Sequence, residues 1–137
     1  PTIMSLLKIL EALGTEVAGF FADERATDEL PIVFPRASMR ALEEVDRTWW
    51  YAFPSRPEVK MILTYEEYAP ESRVLEQEQH KTDVCGLVLE GTLTMDVRGA
   101  GKVTANKGDA FYLRAGKRHL AYNEGKKLLR LVVVQLR

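Results

Sequence analysis

One cysteine, Cys85, and two histidines, His80 and His119, occur in 137 residues. A lone cysteine excludes a disulfide within the chain and suits a reducing cytosol. There is no signal peptide, and no apolar run approaches the roughly 20-residue length of a membrane span. An excess of either charge is missing too: 19 basic residues stand against 20 acidic ones, for a net charge of −1. Such a balance supplies no counterion-release drive toward nucleic acid. No Ser-His-Asp or Cys-His arrangement supports covalent catalysis, and Cys85 lies in an apolar strand pattern where a thiol stays inert. An initiator methionine is also absent. The chain opens at Pro1 in the first turn of a helical pattern, so it is expected to be a piece of something longer.

What is present is an ordinary globular composition, 46% hydrophobic and 28% charged. At this length one domain can bury about two-thirds of its unfolded surface and so build its own core. "PTIMSLLKILEALG" places Ile3, Leu6, Leu7, Leu10 and Leu13 on one helical stripe, with Thr2 as cap and Gly14 as terminator. Thr15 then caps a shorter helix with Val17, Phe20 and Phe21 apolar. "ADERATDELP" reads as an acidic connector ending at Pro31.

From Ile32 the pattern changes to short β-branched and aromatic runs. "RTWWYAF", "VKMILTYEEY", "VCGLVLE", "TLTMDV", "KVTA", "AFYLR" and "LLRLVVVQ" are separated by glycine, proline and charged residues. Many short strands with close turns predict a mainly β protein, a small antiparallel barrel or jelly roll, preceded by two short α-helices. "VCGLVLE" is apolar at nearly every position, so both faces of that strand should be covered, one of them by another layer or subunit.

Two resemblances refine this reading. "PTIMSLLKILEALGTEVAGFF" resembles the last two helices of the XRE-type, lambda-repressor-like helix-turn-helix domain, through Leu7, Lys8, Ile9, Ala12, Leu13 and Gly14. The family's recognition helix comes earlier in the chain, so no DNA-reading residue is assigned. The spacing Gly108-x5-Arg114-x-Gly116-x2-His119-x3-Asn123 resembles the second motif of the cupin superfamily, with Arg114 in place of proline. The first cupin motif falls on Glu78, His80, Val84 and Gly91. The resemblances imply residues 1–22 as the remnant of a helix-turn-helix domain, 23–31 as connector and 32–137 as a cupin domain of the Cupin_2 type.

Residues alternate sides along a strand, so Glu78 and His80 can point together into the barrel, with His119 approaching from a neighbouring strand. Two imidazoles and a carboxylate with open positions suit Zn, Mn, Ni or Fe. The family's fourth ligand is missing, because Val84 has no donor atom, and Asp83 could replace it only if a turn rotated it inward. The alternative is a metal-free pair of histidines hydrogen-bonded within the barrel, and the sequence leaves both open. Tyr112, Arg114 and Trp50 are named as ligand-binding residues: Arg114 could pair with an acidic ligand, and the aromatics could line an apolar cavity.

Together the resemblances imply a cytoplasmic one-component bacterial transcription regulator whose cupin senses a small-molecule effector and is not an enzyme. Partners are then the effector, a second copy of the chain, and DNA through the upstream helix-turn-helix; no membrane is expected. The competing class is a metal-dependent cupin enzyme, a dioxygenase or isomerase. A purely architectural cupin that only dimerises the regulator is the third.

Overall fold

The computed structural model describes residues 29–73 and 77–137. The predicted helical front end over 1–22, and the connector as far as residue 28, lie outside the described residues. The chain divides into Pro1–Val33 and Phe34–Arg137, and every described strand lies in the second unit. No helix among the described residues is long and apolar enough to cross a membrane.

Among the described residues a single 3-10 turn, Arg36–Ser38, leads into nine strands. In chain order these are β1 (Arg40–Glu43), β2 (Arg47–Tyr51), β3 (Met61–Tyr68), β4 (Val84–Glu90), β5 (Thr92–Val97), β6 (Gly101–Asn106), β7 (Ala110–Leu113), β8 (His119–Tyr122) and β9 (Leu129–Leu136). A six-stranded sheet runs β1-β2-β3-β9-β4-β7, and a three-stranded sheet runs β6-β5-β8. Each pairing within the two sheets is antiparallel. Seven strands fall on the runs read from sequence; β1 and β8 do not.

Period-two alternation explains which residues make the core. Leu93, Met95 and Val97 of β5 are buried on one side, as are Leu129 and Leu131 of β9 and Val88 of β4. With Tyr68, Ala105, Leu113 and Ala121 they form one apolar cluster contributed by both sheets. The reversal from β4 to β5 needs Gly91, whose φ of 78° suits glycine. A Cβ there would also fall 2.6 Å from the Leu128 carbonyl oxygen.

Short connections hold the sheets in register. The β1–β2 hairpin pairs Leu42 with Trp49 and Arg40 with Tyr51, and its turn is closed by the Glu44 amide donating to the Arg47 carbonyl at 2.8 Å. Asn123, fully buried after β8, ties three segments together. Its Nδ2 faces the carbonyls of Tyr68, Ala69 and Lys127 at 3.3, 3.2 and 2.8 Å, while its Oδ1 accepts from the Gly125 amide at 3.0 Å. The asparagine that ends the second motif is therefore a structural clasp for the β3, β8 and β9 ends.

Candidate metal centre

The segment carrying Glu78 and His80 is not a full strand, yet the start of β8 holds it firmly. Glu78 and His119 exchange backbone hydrogen bonds of 2.8 and 3.0 Å. The Gly116 amide donates to the His80 carbonyl at 2.9 Å, and the Gln79 side chain donates to the Gly116 carbonyl at 3.0 Å. Gly116, with φ of 82°, turns the chain so that His119 enters β8 beside Glu78. Alternation then directs Glu78 and His80 to the same side, as the sequence predicted.

One donor atom from each of Glu78, His80 and His119 lies within 4.8 Å of the others. Glu78 Oε2 is 3.7 Å from His80 Nε2 and 3.6 Å from His119 Nε2. The two rings are 5.5 Å apart and tilted by 30°. Donors bound to one ion at about 2.1 Å stand about 3 Å from each other, so loading requires a contraction of under about 2 Å. The surroundings fit a metal. His119 Nδ1 lies 3.1 Å from the Lys117 carbonyl, which as acceptor holds the proton on Nδ1 and leaves Nε2 free to ligate. Glu78 Oε1 accepts from Arg47 at 2.9 Å, so the second carboxylate oxygen faces the histidines.

Behind the triad lies a charged network that sequence inspection missed. Arg47, 5% exposed, is directed inward from the start of β2. Its guanidinium sits 4.4 Å from the Trp49 ring and 4.3 Å from the Tyr68 ring. It also donates to Glu66 at 3.4 Å. Glu66 is buried and accepts from the Thr64 hydroxyl at 2.7 Å and the Tyr68 hydroxyl at 3.3 Å. Burial pushes the Glu66 carboxyl upward, opposed by Thr64 and Arg47. A cavity of about 280 Å³ opens onto these groups and is lined on its apolar side by Val84, Phe111 and Leu113.

Val84 and Asp83 behave differently from a fourth ligand. Val84 faces the cavity as an apolar wall. Asp83 is turned away: it accepts from the Tyr112 hydroxyl and, at 2.7 Å, from the Ala115 amide. The three residues named as ligand-binding stand outside this cavity, because the inward face of β7 is that of Phe111 and Leu113. Tyr112 is exposed and pairs with Cys85 across β4, and Arg114 is exposed near Asp83. Trp50 lies on the side of β2 opposite Trp49, against Tyr65 at 5.3 Å, with Arg36 stacked 5.2 Å above it. None of the three lines this cavity.

The same geometry makes the metal-free protein sensitive to pH. The facing His119 ring, with help from Arg47 and against the effect of burial, holds the Glu78 carboxyl at about 2, below its ordinary 4.5. Glu78 in turn raises His119 above 6.5, against burial. The Glu78 contribution to stability is complete above pH 4.5 and is lost as pH falls toward 2. The His119 contribution is complete below pH 6.5 and is lost as pH rises through its folded value. Urea midpoints measured in chelator should therefore peak between these limits, and His119→Ala should flatten the alkaline side. A wild-type alkaline side already flat would contradict the pairing.

Comparison with known proteins accords with this architecture. The family model described as "Cupin domain" (Cupin_2) matches residues 64–135. No curated protein matches the chain in sequence. Among solved structures, the polyketide cyclase RemF from Streptomyces resistomycificus superposes with a TM-score of 0.65 at 18% identity, covering 79% of this chain and 80% of that one. The Fe(II) form of HppE superposes with a TM-score of 0.67 at 14% identity, covering 98% of this chain and 75% of that one. The CENP-C domain from Drosophila melanogaster gives 0.64 at 16% identity, covering 80% of each. At these identities the likenesses show a shared fold and no shared activity. On the family match, which spans over half its length, the chain belongs to the cupin domain family.

Proposed function

We propose that this cupin domain is the sensor of a one-component transcription regulator, holding a divalent metal at Glu78, His80 and His119 and a small polar effector in the adjoining cavity. The observation that carries the site is the convergence of three donor atoms within 4.8 Å beside a cavity of about 280 Å³. That space suits a small molecule, near the lower end of ligand pockets. The resemblance of residues 1–22 to the end of a helix-turn-helix domain supports the regulatory role. An effector acts by binding one arrangement of the paired subunits better than the other.

A second reading is a metal-dependent enzyme. Two histidines and one carboxylate with open positions favour it, since that set suits non-haem iron chemistry. One structural relative, HppE, was solved with Fe(II). A bound metal would supply Lewis-acid or redox chemistry; Arg47 would orient the Glu78 carboxylate, and the apolar wall would exclude water.

Metal content and thermal stability of the purified protein test the site. Wild type should bind about one Zn, Mn, Ni or Fe per chain, and Glu78→Ala and His119→Ala should each lower affinity by about a hundredfold or more. Unchanged metal content in both variants would remove the metal centre. A thermal-shift screen of small acids, amino acids and sugars on the loaded protein then tests the sensor, because a ligand of the native state raises its stability. Binding without turnover supports the sensor, and conversion of a bound compound supports the enzyme.

A further inference from the structure

An open cleft lies apart from the cavity beside the triad, and the two share no lining residue. It forms where three segments meet: the β5–β6 turn, the loop between β7 and β8, and Gln79 of the segment carrying Glu78 and His80. The Arg98 amide donates to the Arg118 carbonyl at 2.9 Å, and the Gln79 side chain donates to the Gly116 carbonyl at 3.0 Å. The lining segments are thus held to one another by hydrogen bonds.

Arg98, Lys117 and Arg118 line this cleft, and no acidic residue does. All three are exposed, and none has an ion-pair partner among the described residues. Lys117 Nζ lies 3.8 Å from the point where a Cβ on Gly99 would stand, so its ammonium reaches over the turn next to Arg98. Asp83 touches the same loop, but its carboxylate is engaged by the Ala115 amide and the Tyr112 hydroxyl and is not part of the lining. A chain of net charge −1 therefore gathers three unpaired positive charges at one place. Like charges held together repel, and an anion seated among them relieves that repulsion.

The geometry points to a binding site for a phosphate monoester, the dianionic end of a small phosphorylated metabolite. Its three terminal oxygens match three cations, whereas a carboxylate offers only two. Two of the cations are guanidinium forks, each able to take two phosphate oxygens at once. No aromatic or large apolar side chain lines the cleft, so nothing there grips a sugar or a base, and the charged group alone is recognised. The diester of a DNA backbone carries one charge and two free oxygens, a poorer match to three cations. The site requires neither a bound metal nor the sensor reading.

Amide-resolved NMR titration of the full chain, kept metal-free with chelator at low salt, tests it. Methyl phosphate should shift the Gly99, Gly116 and Lys117 amides with a Kd of about 1–10 mM, the range for a few exposed charges. Arg98→Glu and Lys117→Glu should each weaken binding about tenfold, while Lys126→Glu, the same charge change away from the cleft, should leave it within about twofold. These side chains are exposed, so the variants should keep the wild-type urea midpoint, and lost binding then reports the site rather than the fold. Dimethyl phosphate, a diester, should bind more weakly than the monoester. No shift at about 50 mM methyl phosphate overturns the inference. So does equal binding of the diester, or an equal loss in Lys126→Glu. A duplex DNA oligonucleotide that moves the same amides at lower concentration than methyl phosphate also overturns it, in favour of a backbone contact.

Discussion

Arg47→Met is expected to lower the stability of the β body by about 3–5 kcal/mol, the cost of stranding a buried charge without its partner. The side chain is 5% exposed and touches both Glu66 and Glu78, and Glu66 has no other cation within ion-pair distance among the described residues. The methionine itself fills the space between Trp49 and Tyr68 well enough, so lost packing is the smaller part. Adding Glu66→Gln should recover a substantial share, because a neutral amide keeps the Thr64 and Tyr68 contacts without a buried carboxylate. Urea unfolding of wild type, single and double variants reads the coupling directly. If the single variant unfolds at the wild-type midpoint, the network does not hold the fold together. The same substitution should weaken metal binding about tenfold to a hundredfold, since Glu78 loses the group that aims it.

Asn123→Ala carries the next largest effect, a loss of about 2–4 kcal/mol. One side chain satisfies the Tyr68, Ala69 and Lys127 carbonyls and the Gly125 amide, all at 3.3 Å or less. Truncation strips these groups of a partner that is itself fully buried. Asn123→Asp should be no better, because a carboxylate presents acceptors to three carbonyl acceptors. The urea midpoint should fall while the slope of the transition stays the same. An unchanged midpoint for Asn123→Ala would mean that water or backbone adjustment replaces the clasp.

Much of this was legible in the residues. The runs at 84–90 and 92–97 coincide with β4 and β5 because apolar and β-branched side chains are what a half-buried pleat accepts. β1 left no such trace: Arg40, Ala41, Leu42 and Glu43 are all exposed, so nothing imposes an apolar alternation. β8 is four residues long and follows a glycine loop, too brief to show a period. Glu78, His80 and His119 were found through spacing, and the structure brings them together.

The charged network behind them was missed because "RTWWYAF" and "VKMILTYEEY" were read for their aromatic content. The signal was present in every second position: Arg47, Trp49 and Tyr51 on one strand, Thr64, Glu66 and Tyr68 on the next. Polar residues in phase with a core face are the mark of a lined pocket. Trp50 and Tyr112 stand in the opposite phase to the cavity-lining Trp49, Tyr51, Phe111 and Leu113, and Arg114 lies beyond the end of β7. No composition argument fixes that phase; it depends on which side of each strand the opposing sheet covers.

The reciprocal main-chain bonds between Glu78 and His119 bear on how an ion would enter. Two of the three donors are anchored to one another by peptide groups, independently of any cation. Capture of an ion then requires only rotation and slight inward travel of side chains, with no folding step coupled to it. Uptake and release should be fast and reversible compared with sites that assemble around their metal, and a chelator should empty the centre while leaving the surrounding architecture standing.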